Sequence, residues 1–112
     1  MAMNKTLILA GSLMIALASP ALAQVDADAA QKLAKKNDCF KCHAVDKTKK
    51  GPSLKKIAAK YNGKPDGQEK AIKNMTTGSK VKLEDGTEED HKIIDTKDPK
   101  ELKNLADWIL SQ

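Results

Sequence analysis

The chain has no arginine: every basic residue is a lysine. Phosphate and nucleic-acid sites lean on the guanidinium fork, which holds two acceptor oxygens at once, whereas lysine offers a point charge. The lysines are also scattered among acids without aromatic interleaving, so nucleic acid is not an expected partner. Aromatics are scarce as well, with only Phe40, Tyr61 and Trp108 in 112 residues. So small a chain has an unfavourable ratio of surface to volume, and without large side chains it has little with which to fill a core. Metals, disulfides or a large apolar ligand are the usual remedies. Beyond residue 23 there is no long apolar run, which excludes an integral membrane segment there and predicts a soluble domain.

Residues 1–23 read as a cleaved secretory signal peptide. Lys5 is their only charge, and Leu7 to Ala18 is apolar apart from Gly11 and Ser12. That run is too short to span a bilayer comfortably. Ala21-Leu22-Ala23 then supplies the small-x-small pattern of a cleavage site. An uncleaved anchor is the competing reading. Cleavage leaves residues 24–112 as one domain, outside the cytoplasm and, in a bacterium, periplasmic.

Along that domain the pattern is helical. Asp26 or Asp28 caps a first helix to about Asn37, with Ala30, Leu33 and Ala34 on one face. Ser53 caps a second, in which Leu54, Ile57, Ala58 and Tyr61 share a stripe and Asn62-Gly63 ends the run. A third is expected from about Gly67 to Thr76. Residues 77–96 read as a long, acidic loop without strand alternation. Asp98, Pro99 and Glu101 then predict an N-cap, a proline in the first turn and a capping box for the last helix. The expected fold class is all-α, three to four helices with long loops.

The chemistry lies in Cys39-Phe40-Lys41-Cys42-His43. Cysteines at i and i+3 fall on one side of a helical turn, where both can form thioethers to one edge of a haem. The next residue then presents an axial imidazole to the iron, and this string is the attachment signature of c-type haem. Three other readings compete. A redox dithiol calls for a βαβ setting that the pattern lacks, and a tetrahedral zinc site needs four ligands where one further His remains. A plain disulfide leaves the core unfilled.

With Gly51-Pro52-Ser53-Leu54 and the terminal Leu105-Ala106-Asp107-Trp108-Ile109-Leu110-Ser111, that string makes residues 24–112 resemble the small bacterial class I, single-haem cytochromes c. The resemblance implies a cytochrome c-like fold wrapped around one covalently attached haem c, with the first and last helices packed together beside it. It also implies that the Pro52 carbonyl accepts a hydrogen bond from the His43 ring, and that Trp108 covers the haem edge. An ordinary turn and an ordinary core aromatic are the plainer readings of Pro52 and Trp108.

The second axial ligand departs from the family pattern, which places a Met in the loop before the terminal helix. Past the signal peptide only Met75 and one spare His, His91, remain. Met75 falls inside the third helix at core spacing. His91 lies in the long loop, where the family's Met is expected, and is the preferred ligand with Met75 the alternative. A solvated surface His is the plain reading of His91, and then Met75, an Asn such as Asn74, water or nothing completes the iron. The expected function is one-electron transfer, not enzymatic catalysis, with other redox proteins as partners. Lys41, Lys47, Lys49, Lys50, Lys55 and Lys56 are candidate docking charges near the haem edge. The alternative function is binding of NO, CO or O2 at an open or displaceable sixth position.

Overall fold

The computed structural model describes residues 24–112 and Gly11; apart from Gly11, the segment 1–23 expected to be a signal peptide lies outside the described residues. Asp26 caps α1 (Ala27–Lys36), its side chain accepting from the Ala29 N–H at 3.0 Å. Asp28 in the first turn and Lys35 and Lys36 in the last each complement the helix dipole. The single turn α2 (Cys39–Cys42) follows, then α3 (Leu54–Tyr61), capped by Ser53 through the Lys56 N–H, and α4 (Gly67–Thr76). The chain closes with α5 (Pro99–Leu110).

Helix α5 is the centre of the core. Its Leu102, Leu105, Ala106 and Trp108 are buried, and α1, α3 and α4 all pack against it. The facing residues of α1 are Ala30 and Ala34, both buried. Their small side chains let the leucines of α5 come close to the α1 backbone. Asn104 fastens the far end of this pair: its Oδ1 accepts from the Asp26 N–H at 2.8 Å and its Nδ2 donates to the Asp26 carbonyl at 2.9 Å.

Two local expectations need correction. The acidic segment is not all loop, because Lys80–Lys82 (β1) and Glu88–Asp90 (β2) pair antiparallel, Lys80 opposite Asp90 and Lys82 opposite Glu88. The signal was the Asp85-Gly86 turn. Gly86 takes φ 86°, the left-handed position that ends a three-residue hairpin loop. Strands this short, pairing lysines with acids, leave almost no apolar alternation to read. The capping box is also rewired. Asp98 does cap α5 through the Lys100 N–H, but the Asp98 N–H donates to Thr96 Oγ1, which in turn donates to Glu101. The Thr96 hydroxyl is thus inserted into the reciprocal pair.

Candidate functional site

The cysteine turn is set at a sharp corner. Asp38 adopts the left-handed conformation at φ 58°, which Asp tolerates better than most residues, and α2 starts at once. Cys39 and Cys42 stand at its two ends, one turn apart. Phe40 between them packs edge-on against Trp108, ring centres 6.3 Å apart at 88°. Trp108 is therefore a buried core aromatic that anchors the turn through Phe40. The two sulfurs are not joined to each other. Burial pushes the Cys39 thiol up from its ordinary range, the mark of an apolar surrounding.

His43 leaves the turn in extended conformation, its N–H bonded to the Cys39 carbonyl at 3.0 Å. Its Nδ1 lies 2.6 Å from the Pro52 carbonyl. A carbonyl only accepts, so Nδ1 carries the proton and Nε2 keeps its lone pair. Burial lowers the His43 pKa against the opposing pull of the Pro52 carbonyl, and the nearby His91 lowers it further; both effects favour the neutral ring that binds metal.

Gly51 lies against this ring, a contact the sequence did not announce. A Cβ there would stand 2.9 Å from His43 Cε1 and 3.3 Å from Nδ1. Gly51→Ala must therefore push the imidazole or the turn aside. The expected cost is about 1–3 kcal/mol of stability, measurable by denaturant unfolding of the holoprotein with the visible spectrum followed in parallel. Wild-type stability with a wild-type spectrum would show that the ring does not need this gap.

The hairpin delivers the opposite imidazole. His91 follows β2 directly and extends the ladder, its N–H donating to the Ser79 carbonyl at 2.9 Å. Its Nδ1 lies 2.9 Å from the Lys92 carbonyl, which again leaves Nε2 as the bare nitrogen. The two imidazole ring centres lie 6.2 Å apart, with the planes tilted by 39°. A metal–imidazole bond is about 2.0 Å and the nitrogen is ~1.1 Å from its ring centre, so two imidazoles on opposite sides of one metal have centres about 6 Å apart.

Met75 is placed differently. Its side chain is half-buried and packs on the core cluster that includes Ile94, while its carbonyl accepts from the Ile94 N–H at 2.9 Å. Asn74 is occupied with the Tyr61 hydroxyl at 3.0 Å. Of the six candidate docking lysines, Lys49 donates to the Phe40 carbonyl at 2.7 Å and Lys41 pairs with Asp38 at 3.4 Å. Lys47, Lys50, Lys55 and Lys56 are exposed, with no carboxylate partner among the described residues.

Two sulfurs one turn apart and two imidazoles with ring centres 6.2 Å apart form a donor set that fits covalently attached haem: Cys39 and Cys42 would form the thioethers, and His43 and His91 would offer imidazole nitrogens to the iron. Bound haem also supplies the large apolar filling that a core with three aromatics lacks. Among the described residues no helix is long and apolar enough to cross a membrane.

The sequence model of the cytochrome c family matches residues 27–112. Cytochrome c-552 of Nitrosomonas europaea is 40% identical over 89 residues, 80% of this chain and 80% of the relative. Cytochrome c-551 of Pseudomonas aeruginosa is 30% identical over 80 residues, 71% and 73% of the two chains. Among solved structures, the class 1 cytochrome MtoD of Sideroxydans lithotrophicus ES-1 superposes with a TM-score of 0.75 at 57% identity, covering 79% of this chain and 97% of that one. Family, fold and attachment string agree, and the chain belongs to the cytochrome c family, as a small class I electron-transfer protein with haem c bound covalently at Cys39 and Cys42.

Proposed function

We propose that the mature chain, residues 24–112, is a periplasmic one-electron carrier whose haem iron is held by His43 and His91. The observation that carries the ligation is the pair of imidazoles 6.2 Å apart, each with Nδ1 against a backbone carbonyl. The signal-peptide pattern of residues 1–23 supports export.

Haem supplies the chemistry, one electron gained or lost at iron. The protein's tasks are positional. Cys39 and Cys42 tether the macrocycle to a turn that Phe40 locks into the core. The Pro52 and Lys92 carbonyls fix the two ring orientations and make each imidazole a better donor to iron. Thioether ligation raises the potential of a haem, so two imidazoles make this a lower-potential carrier than a His/Met cytochrome of similar burial. Lys47, Lys50, Lys55 and Lys56 offer an acidic redox partner an attraction that salt screens.

The competing class, a haem protein that binds diatomic gases, is separated by carbon monoxide. Mixed with CO at neutral pH, the ferrous protein is expected to react slowly, at a rate that levels off with CO concentration because His91 must leave first. Fast binding that stays proportional to CO would overturn the carrier reading in favour of an open sixth position.

A further inference from the structure

We propose that Asn37 is a positioning residue that holds the His91 segment against the haem-attachment turn and so sets how often His91 leaves the iron. The inference rests on His91 being the sixth ligand. Asn37 is 3% exposed, a rare depth for a side-chain amide in a domain this small. Both ends of the amide are used. Its Nδ2 donates to the Leu33 carbonyl at 3.0 Å, tying it to the last turn of α1. Its Oδ1 accepts from the Asp95 N–H at 3.0 Å, in a segment fifty-eight positions later in the chain.

That second bond spans the site. Asn37 is followed at once by Asp38 and then Cys39, while Asp95 lies four residues beyond His91. One amide therefore joins the strand of chain that carries the thioethers to the one that carries the distal imidazole. Two ion pairs run alongside, Lys36 with Asp95 at 3.6 Å and Lys92 with Asp38 at 3.3 Å. All four side chains are about half exposed or more, and pairs of that kind hold weakly and are screened by salt. The buried amide carries the clamp. Its loss strands the Asp95 N–H in a part-buried place, while the Leu33 carbonyl keeps the backbone N–H of residue 37. The hairpin secures one side of His91 through Ser79; on the other side the Asn37 bond works together with the Ile94 N–H on the Met75 carbonyl, so releasing Asn37 loosens one of the two ends that hold His91.

Asn104 provides the control. It makes an equivalent two-bond bridge at the opposite end of α1, far along the chain from His91. Asn37→Ala and Asn104→Ala both remove a bridging amide and both lower the melting temperature, so melting does not distinguish them. The limiting rate of CO binding to the ferrous holoprotein does. Asn37→Ala is expected to raise it about tenfold and Asn104→Ala by less than about twofold. If Asn37→Ala yields no holoprotein, Asn37→Ser, too short to reach the Asp95 N–H, is expected to show the same acceleration. A wild-type rate in the Asn37 variant, or equal acceleration in both bridges, overturns the proposal. His91→Ala keeps the two claims apart: it should bind CO without a limiting step. If instead it keeps the wild-type spectrum and rate, the ligation reading itself fails, and the clamp with it.

Discussion

Replacing His91 by alanine is expected to turn the ferric protein from low spin to high spin while leaving its haem covalently attached. The imidazole opposite His43 is removed and no second donor is poised to take its place. Met75 is packed on the core cluster and its carbonyl is bonded to Ile94, while the Asn74 amide is bound to Tyr61. Water is then the natural occupant. Imidazole favours ferric over ferrous iron, so its loss also raises the reduction potential. Each tenfold of lost ferric preference is worth about 59 mV for one electron, and a rise on the order of 100 mV is expected if that preference is roughly a hundredfold. The check is a redox titration with spectra taken in both states. A variant that stays low spin at an unmoved potential would place the sixth ligand elsewhere.

The second large effect is structural. Leu105 is fully buried, the largest side chain among the described residues to be so. It sits on α5 in the cluster with Ala30 and Ala34 of α1, Leu54 and Leu102. A core with so few large residues has little to collapse into the space left by a leucine. Leu105→Ala is therefore expected to cost about 3 kcal/mol, lowering the melting midpoint of the holoprotein by more than about 10 °C. Because Leu105 supplies none of the hydrogen bonds that orient the two imidazoles, the low-temperature spectrum should stay wild type. A midpoint lowered by only a degree or two would show that the α1–α5 contact is not where stability resides.

The pairing of these two outcomes reflects how the chain divides its work. Four helices were legible because their apolar stripes and caps are local: Asp26, Ser53 and Asp98 each sit where a side-chain acceptor meets an orphan N–H. The attachment turn was legible because its spacing is its chemistry. The hairpin was missed because its strands are three residues long and read as charge, not alternation. His91 could be preferred over Met75 from its place in the chain, but its aim depends on the Ser79 and Lys92 carbonyls, and no pattern of residue types encodes those. Asn37 was visible only as the end of a helix. Its partner Asp95 N–H is a backbone group remote in sequence, and a backbone donor leaves no mark on the residue that carries it. Gly51 looked like a turn residue, and only the fold brings the His43 ring against it.

The ferric absorption spectrum of the holoprotein tests the central claim most directly. Two imidazoles on iron predict a low-spin spectrum without the weak far-red band that arises from sulfur-to-iron charge transfer. That band, present in the wild type and lost in Met75→Ala, would contradict the account and return the sixth position to the thioether.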